Sequence, residues 1–475
     1  MNSPRCHMGG RTIRSVATRP AVVVAILIVV GLIGGGIVAL SRPADDGTAS
    51  PSPSSSRTPW PTPRVTPTDA AATTSASPTA TPTAGPFDLA NLEWQTLTEP
   101  FGGKEVLGMD GAVTDADDRV IVWGSRLEQV AVGHRVAVPY VWITHDGETW
   151  SESALSGVEE PMTIVDLVAG PRGLVVVGHI DDLVSALWSR DGETWQRAAF
   201  VPQPAFEEDD VRAVAAGPSG FLAVGQVWPE GAQAWFSHNG LQWERVGSRP
   251  LPKGRLHDVV SQADGSFLAV GTDESGRDWN AMAWRISADG REWLRAPAQE
   301  ALNGPQDDSL MKIWRSGAGV LARGLEEDAE QRRDCIGQPD VPVASLQMAL
   351  VCGIDERQFV WTSADGSRWQ RHADAVGQPG ETVSPPALWE VTAVDRWHDQ
   401  LVAVGAGSDW QIRVWLSEDG SSWQPTGEPI AVDGRLPTDY QEDSITGLAV
   451  TGEMLVVTGE GDLLNGFVLI GRTTR

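Results

Sequence analysis

Residue types that carry metal and redox chemistry are scarce in this sequence. The 475 residues include 3 Cys, 2 Tyr and 8 His. They form neither a His-Glu-x-x-His motif nor a Cys/His spacing typical of zinc sites. A Gly-x-Ser-x-Gly turn, a phosphate-binding loop, a dinucleotide-binding motif and an EF-hand calcium loop are also missing. We therefore predict no cofactor and no metal, and the sequence identifies no catalytic residue.

Positive charge is also scarce. Only 36 Lys and Arg oppose 63 Asp and Glu, and four of the Arg stand among the first 20 residues, which carry no acid. The remaining 32 basic residues face 63 acidic ones, a surplus that repels nucleic acid and anionic lipid surfaces. We therefore predict that nucleic acid is not a partner. Lys is rarer than Arg, 3 against 33, a bias that favours a bacterial genome of high GC content.

The sequence has one long apolar run. Residues Ala21–Leu40 carry no charge, and about 20 helical residues span about 30 Å, the hydrocarbon thickness of a bilayer. The Arg-rich tail, residues 1–20, should remain in the cytoplasm. We predict a transmembrane helix that anchors the chain in the cell membrane by a single pass, with the following domain outside the cytoplasm. A cleaved signal peptide is the alternative.

A low-complexity segment, residues 41–86, follows the apolar run. It consists mainly of Ser, Thr, Pro and Ala, a composition that cannot bury enough apolar surface to fold. We predict a disordered tether between the membrane and a folded domain at 87–475. The composition also permits O-glycosylation but does not decide it.

A short motif recurs six times in the folded domain. It reads Ser/Thr-x-Asp/Asn-Gly-x-x-Trp, and Asp-Gly and Asn-Gly are the pairs that accept positive φ in tight hairpin turns. The Ser/Thr and Asp side chains can bond the turn backbone, and the Trp can pack over the hairpin. We predict a structural role for every copy, rather than catalysis or metal binding. The recurring residues are Asp146, Gly147, Trp150, Asp191, Gly192, Trp195, Asn239, Gly240, Trp243, Asp289, Gly290, Trp293, Asp365, Gly366, Trp369, Asp419, Gly420 and Trp423.

A second marker, an apolar strand that ends in Gly, recurs seven times. With a further strand upstream of most copies, each unit is predicted to form four strands over about 45–55 residues, a period typical of β-propeller blades. We therefore predict an all-β, seven-bladed β-propeller. The marker glycines are Gly124, Gly178, Gly225, Gly271, Gly324, Gly405 and Gly459.

The last unit ends without its fourth strand. We predict that Leu92–Thr98 supplies it, because this segment resembles the strands that follow the turns but has no turn before it. Pairing of this N-terminal strand with Asn465–Gly471 would close the ring and leave no open sheet edge. The pairing would place Trp94 beside Phe467 or Leu469, in the same environment as Trp195 and Trp243.

On these motifs the domain resembles the Asp-box, or BNR-repeat, propellers of the sialidase-like superfamily. The family box reads Ser-x-Asp-x-Gly-x-x-Trp, and here the residue between Asp and Gly is absent in all six copies. The resemblance implies that the boxes are structural and lie away from the ligand face. Sialidases use an arginine triad, an Arg-Ile-Pro segment and a Tyr/Glu pair, but this sequence has no Arg-Ile-Pro and only Tyr140 and Tyr440. Photosystem-assembly propellers with similar repeats are non-enzymatic, so the fold leaves the activity open.

One unit is longer than the others. Successive turns lie 45 to 54 residues apart, but Asp289 and Asp365 are 76 apart, and the excess falls in an insert at residues 325–358. The insert holds Cys335 and Cys352, and export would favour a disulfide between them. Two free thiols are the alternative. The insert is either a partner-binding loop or an insertion without consequence.

Acidic residues cluster in loops that a propeller would bring to one face. They form either a solvated acidic surface or a face that attracts cations, cationic peptides or Ca²⁺. The candidate binding residues are Asp181, Asp182, Asp209, Asp210, Asp307, Asp308, Glu442 and Asp443.

Two classes of function stay open. The first is a monomeric, membrane-tethered extracytoplasmic module that binds an unknown extracellular protein or glycan without chemistry. The second is a divergent glycoside hydrolase of sialidase-like fold, whose pair of carboxylates sequence alone cannot place across a channel. The missing Arg-Ile-Pro segment disfavours the second class.

Overall fold

Runs rich in Val, Leu, Ile and Ala form the strands of the domain, and pairs containing Gly or Asp form most of the turns between them. The structure is a computed structural model, and all of its described residues lie in one unit, Pro82–Arg475. It describes residues 92–97, 106–131, 134–155, 162–203, 210–227, 229–247, 251, 253–317, 319–336, 356–372, 391–406, 412–420, 422–425, 430, 445–460 and 466–473.

The predicted basic tail, anchor and tether, residues 1–86, lie outside the described residues. Within the described ranges, no helix is both long enough and apolar enough to cross a membrane. The anchor therefore stays a prediction from the sequence.

Seven four-stranded antiparallel units follow one another around the domain, and we number them as blades 1 to 7. Blade 1 has β2 (Val106–Thr114), β3 (Val120–Ala131), β4 (His134–Thr144) and β5 (Ser151–Ala154). Blade 2 has β6 (Met162–Gly170), β7 (Gly173–Ile180), β8 (Leu183–Ser189) and β9 (Trp195–Arg197). Blade 3 has β11 (Asp210–Gly217), β12 (Gly220–Val227), β13 (Gly231–Ser237) and β14 (Gln242–Val246), with β10 (Ala199–Val201) added in parallel to β14.

The remaining blades repeat this order. Blade 4 has β15 (Gly254–Ser261), β16 (Phe267–Asp273), β17 (Asn280–Ile286) and β18 (Trp293–Arg295). Blade 5 has β19 (Asp307–Ser316), β20 (Gly319–Glu327), β21 (Glu356–Ser363) and β22 (Gln370–His372). Blade 6 has β23 (Val391–Trp397), β24 (Gln400–Ala406), β25 (Ile412–Ser417) and β26 (Gln424–Pro425), and blade 7 has β27 (Ile445–Val450), β28 (Met454–Glu460), β29 (Gly466–Thr473) and β1 (Leu92–Leu97).

The first strands of the blades form the innermost layer. Each contacts the first strands of both neighbouring blades, and the series is completed by β27 against β2. The seven first strands therefore surround a central channel. The all-β, seven-bladed propeller predicted from the repeats is confirmed.

The hydrophobic core lies between the blades. Each buried cluster draws side chains from two neighbouring sheets, as in the cluster of blades 2 and 3. There Phe200, on the added strand β10, stacks on Trp243 with ring centroids 5.7 Å apart and meets the edge of Trp235. Burying one such side chain contributes about 1.5–3 kcal/mol, so the interfaces between blades supply most of the apolar stabilisation.

The N-terminal strand lies on blade 7. Strand β1 pairs antiparallel with β29, with Trp94 opposite Gly471 and Thr96 opposite Leu469. Trp94 packs against the cluster that contains Phe467 and Leu469. Its ring is half-buried, whereas those of Trp195 and Trp243 are buried. These two donate to the Gly of a preceding turn, and the sequence has no Asp-Gly or Asn-Gly pair three residues before Trp94.

The ends of the predicted insert belong to strands. Residues 325–327 extend β20 and residues 356–358 begin β21, with Leu325 opposite Gln358. A short polar helix, α1 (Ala329–Ile336), follows β20 within the predicted insert, and the sequence analysis assigned no secondary structure to this segment. Asp328 caps it by accepting hydrogen bonds from the N–H groups of Glu330 and Gln331, both at 2.9 Å.

Candidate binding site in the central channel

The six Asp-Gly and Asn-Gly turns follow the third strands, and five of them have the same bond from the Gly N–H to the Ser or Thr hydroxyl, whereas Gly290 N donates to Ser287 O. In blade 2, Gly192 N donates to Ser189 Oγ at 2.8 Å, and the next two backbone N–H groups donate to Asp191 Oδ1 at 2.9 and 3.1 Å. The indole Nε1 of Trp195 donates to Gly192 O at 3.1 Å. The bond from Trp to Gly recurs in the other five copies, and every turn Gly has a positive φ.

Backbone donors hold the turn carboxylates in their ionised form. The N–H groups of Thr149 and Glu148 lower the pKa of Asp146 to about 2, and the N–H groups after Asp191 lower its pKa as well. These carboxylates therefore accept hydrogen bonds from the backbone of their own turns, as expected if the motif has a structural role.

Each first strand carries a β-bulge beside the marker Gly of the second strand. The register shift follows the residue that pairs with that Gly in all seven blades. At Gly178 an added Cβ would lie 1.9 Å from Thr163 O, and at Gly225 it would lie 1.9 Å from Asp210 O. The marker is Gly because the bulge brings a carbonyl oxygen to the place of a side chain.

The bulge turns one side chain per blade away from the ladder. We call these seven residues the bulge ring. Their side chains differ in charge and polarity between blades, unlike the turn residues. In blade order they are Asp110, Val165, Arg212, His257, Met311, Thr392 and Thr446.

None of these residues was predicted as a site. The signal was present, because the ring residue comes one position after the partner of a marker Gly. Finding it required the strand register, which the repeat alone does not give.

Blades 3 and 4 contribute a guanidinium and an imidazole to the ring. Arg212 bonds Asp210 at 2.7 Å, but its buried Nε has no hydrogen-bond partner among the described residues. His257 is 8 % exposed, and its Nε2 lies 3.0 Å from Thr272 Oγ1. Its buried Nδ1 also has no hydrogen-bond partner in the described part of the chain. Burial, followed by the charge of Arg212, lowers the pKa of His257 well below its usual value, so the imidazole is neutral.

Lys312 follows the bulge of blade 5. Its side chain is solvent-exposed although it stands on an innermost strand, so solvent reaches it through the channel. Asp258 and Asp166 are the anions that raise its pKa. Among the described residues, no carboxylate oxygen lies within 4.0 Å of its ammonium group.

The carboxylates of Asp166 and Asp258 link neighbouring blades. Asp166 accepts the N–H of Val214 in blade 3 at 2.8 Å, and Asp258 accepts the N–H of Ile313 in blade 5 at 2.9 Å. Each also accepts the N–H of its own next residue at 2.8 Å. Burial raises the pKa of Asp166 to about 6 and raises that of Asp258. These acids are thus committed to backbone bonds between blades.

A carboxylate pair stands where blade 7 meets blade 1. Glu460 Oε1 lies 2.6 Å, and Asp110 Oδ1 3.6 Å, from the point that a Cβ on Gly108 would occupy. Burial, followed by the charge of Glu460, raises the pKa of Asp110 to about 6. The Asp110 residue keeps access to solvent, although protein groups surround its carboxylate and it stands on the innermost strand β2, so solvent reaches it through the channel.

Several of the predicted acidic binding residues are paired with arginines. Asp307 bonds Arg332, which lies over the Trp279 ring at 3.7 Å. Asp308 lies 3.2 Å from Arg371. Both Asp side chains are buried, at 1 % and 0 % exposure. The two residues therefore join α1, β19 and β22 internally and do not form an open acidic surface.

The other predicted residues are scattered. Asp181 and Asp182 form the exposed turn between β7 and β8, both with positive φ, and Asp210 is paired with Arg212. Asp209, Glu442, Asp443 and Cys352 lie outside the described residues, as does the side chain of Cys335, so the disulfide stays a prediction. Within the described ranges, no three His, Cys, Asp or Glu residues are grouped to hold a metal ion.

The channel differs from the arrangement that the sialidase resemblance implies. Arg212 and Arg255 stand on neighbouring first strands, but each has its own carboxylate partner, Asp210 and Glu274. Tyr140 stands on the third strand β4, where its hydroxyl bonds Arg126 and Glu128. Tyr440 lies outside the described residues. The part of the chain that the structure describes thus brings no Tyr/Glu pair to the channel.

Comparisons with known proteins return similar folds only. No protein-family model and no curated sequence matches the chain. A sialidase of Trypanosoma rangeli aligns with 9 % identity and a TM-score of 0.40, covering 77 % of this chain and 55 % of the sialidase. An α-L-arabinanase of Penicillium chrysogenum, solved with arabinobiose, aligns with 11 % identity and a TM-score of 0.41 over 80 % of this chain and 95 % of that protein. TM-scores near 0.4 do not assign this chain to either family.

Proposed function

We propose that this protein is a membrane-tethered, extracytoplasmic β-propeller that binds a polar ligand in its central channel and does not catalyse a reaction. The observation that carries the proposal is the bulge ring. A β-bulge repeated in all seven blades turns one side chain per innermost strand out of its ladder, and six residue types occupy the seven positions. This variety at a repeated backbone position suits recognition of one particular ligand. Residues 1–86 would supply the anchor and the tether.

Burial and hydrogen bonding support binding over catalysis. Arg212 Nε and His257 Nδ1 are buried without hydrogen-bond partners among the described residues, a state that costs about 1–3 kcal/mol per group unless water or a ligand satisfies it. Asp166 and Asp258 are held by backbone N–H groups. Among the described residues, Asp166 and Asp258 are therefore not available for proton transfer, whereas Arg212 Nε offers an unused hydrogen-bond donor.

The test is a binding measurement on the purified full-length chain. Calorimetry with cell-wall fragments, neutral oligosaccharides and short peptides should find at least one ligand whose affinity falls about tenfold or more in Lys312→Met. Arg315→Met is the matched control, because Arg315 is exposed on the same strand but three residues farther along. Binding that survives in both Lys312→Met and Asp110→Asn would locate the ligand outside the channel and overturn the proposal.

The orientation is tested separately. Protease added to intact spheroplasts should digest residues 87–475 or release them by cutting the tether. Full protection of that region would contradict an extracytoplasmic domain.

A second candidate function rests on Asp110 and Glu460. Two neighbouring carboxylates with the pKa of one raised to about 6 have the composition of a glycosidase acid/base pair. Chromogenic glycosides incubated with the full-length chain test this candidate. Turnover that disappears in Asp110→Asn and persists in Asp117→Asn, an exposed acid of the β2–β3 turn, would replace the binding proposal.

A further inference from the structure

The turn of blade 4 is one residue longer than the other five Asp-Gly and Asn-Gly turns. In blade 2, the last residue of the third strand to pair with the second strand is Ser189, and Trp195 follows six residues later. In blade 4 that residue is Ile286, and Trp293 follows seven residues later. Ser287 therefore lies beyond the ladder and is half-buried, whereas the Ser or Thr of the other five turns is buried.

Blade 4 also departs from the repeat on its outermost strand. The residue after the turn Trp is Leu294, which is 68 % exposed. In the other five copies the residue at this position is polar, namely Ser151, Gln196, Glu244, Gln370 and Gln424. A single exposed Leu is ordinary on a protein surface, but this one replaces a polar residue at the edge of a recess, where it offers an apolar contact.

The recess opens beside the longer turn and has a volume of about 560 Å³, within the range of about 300–1,000 Å³ that is typical of ligand sites. We call it the blade 4 recess. Asp264 follows the end of β15, whereas the bulge at His257 lies in the first half of that strand. The recess is therefore separate from the bulge ring. Its wall includes the side chains of Asp264, Arg285, Ala288, Glu292, Trp293 and Leu294.

The blade 4 recess combines an apolar surface with one unpaired charge. The indole Nε1 of Trp293 already donates to Gly290 O at 2.8 Å, so this ring contributes apolar surface beside Leu294. Asp264 and Arg285 form an ion pair and neutralise each other. Glu292 is exposed, and its carboxylate has no partner among the described residues. The unbalanced charge of the recess is therefore negative.

We propose that the blade 4 recess is a docking site for a basic side chain, Lys or Arg, on an extended peptide of a partner protein. The aliphatic stem of that side chain packs on Leu294 and Trp293, and its cationic end meets the carboxylate of Glu292. Lys and Arg are the residues that carry an apolar stem and a positive charge together, and indole rings attract cations as well.

The charge of the whole chain favours the same class of partner. Its 63 acidic residues exceed its 36 basic ones, and such a surplus attracts basic partners and repels acidic ones. A neutral oligosaccharide fits the recess less well, because its hydroxyl groups bring no positive charge to Glu292 and bonds between two ionised groups are the stronger kind. The inference goes beyond the proposed function, since it concerns a surface apart from the channel.

The experiment measures the binding of short peptides to the full-length chain by fluorescence anisotropy. Each peptide reads Gly-Leu-Xaa-Leu-Gly, is acetylated and amidated, and carries an uncharged dye, so that the central residue is the only ionisable group. The central residue is Arg, Lys, citrulline or norleucine. The Arg and Lys peptides should bind about tenfold or more tightly than the citrulline and norleucine peptides.

Two substitutions separate the charge from the apolar contact, and each introduces a residue that other blades carry at the same position. In Glu292→Thr, the Arg and citrulline peptides should bind equally. In Leu294→Gln, all four peptides should bind more weakly, and Arg should keep its advantage over citrulline. Glu193→Thr is the matched control, because Glu193 is an exposed acid of the blade 2 turn, and it should behave like the parent. Unchanged melting temperatures verify that the variants fold.

The inference is overturned if the parent chain binds the Arg and citrulline peptides equally, or if Glu292→Thr leaves the preference for Arg intact. If Lys312→Met removes that preference instead, the peptide lies in the channel, so the docking site is wrong and the proposed function stands. If neutral oligosaccharides bind in a way that Leu294→Gln weakens, while no basic peptide binds, the recess is a glycan site and the basic ligand is wrong.

Discussion

The two kinds of aspartate in this propeller behave in opposite ways. At the turns that follow the third strands, backbone N–H groups lower the pKa of Asp146 to about 2. In the channel, burial raises the pKa of Asp110 and Asp166 to about 6. The turn residues are nearly the same in blades 1 to 6, whereas the seven positions of the bulge ring hold six different residue types. Repetition therefore accompanies a structural role here, and variation at a repeated backbone position indicates the candidate site.

Removing the strand that completes blade 7 should have the largest effect. A chain that begins at Gly103 lacks β1, which leaves β29 with an unpaired edge and uncovers the cluster around Phe467. We expect loss of solubility or of much of the stability, measured as melting temperature. A chain that begins at Phe87 is the control and should fold normally. An undiminished melting temperature in the shorter chain would refute closure by this strand.

Substitutions at the turn Trp residues should lower the stability of the domain without changing the residues of the bulge ring. Trp195 is 5 % exposed, so Trp195→Ala should cost about 3–5 kcal/mol in unfolding free energy. Leu294→Ala is the matched control, because Leu294 is 68 % exposed, and it should change stability by less than about 0.5 kcal/mol. Denaturant melts of both variants check this, and equal stabilities would mean that the ring of Trp195 anchors nothing.

The turn glycines should not tolerate a side chain. Gly192 has φ of 86°, and a Cβ there would lie 2.3 Å from Ile143 Cδ1. Gly192→Val should therefore cost at least about 1 kcal/mol. Gly317→Asn is the control, because Gly317 also has positive φ but nothing lies within 4 Å of its Cβ position, and Asn accepts that backbone conformation. A parental melt for Gly192→Val would contradict the assigned turn geometry.

The contributions of Asp110 and Asp146 to the unfolding free energy should change with pH in opposite directions. Asp110 binds its proton more tightly in the folded state, about 6 against an ordinary 3.8, so the stabilising effect of its protonation grows as the pH falls from about 7 to 4. Asp146 has a lowered pKa, so the stability it contributes is present above about pH 4 and is lost as the pH falls towards 2.

Unfolding free energies of Asp110→Asn and Asp146→Asn, each measured against the parent across this range, check the signs. The parent should gain on Asp110→Asn with falling pH, by the order of 1 kcal/mol after solvent screening. Relative to Asp146→Asn, the unfolding free energy of the parent should decrease as the pH falls. Slopes of the same sign would mean that the two carboxylates do not differ in environment.

Local sequence signals predicted the blade architecture because they act over a few residues. An Asp-Gly pair between apolar strands specifies a hairpin, and the Trp three residues later is placed by that hairpin. The strand before each marker Gly, and the strand Leu92–Leu97, were recognisable from their likeness to other copies. The candidate site was not recognisable, because Asp110 and Glu460 meet only where the first blade contacts the last.

The sequence by itself determined the repeat, its strands and turns, and the number of blades, since hairpins depend on neighbours along the chain. Tertiary structure decided which charges remain available. Asp307 and Asp308 belong to an acidic cluster in the sequence but are neutralised by Arg332 and Arg371 from other elements. Lys312 is one of three lysines and belongs to no motif, yet the propeller places it in the channel, where the carboxylates of Asp258 and Asp166 from two other blades raise its pKa. Contacts between blades determine which charged side chains are buried and which are ion-paired. The order of residues along the chain does not show these contacts.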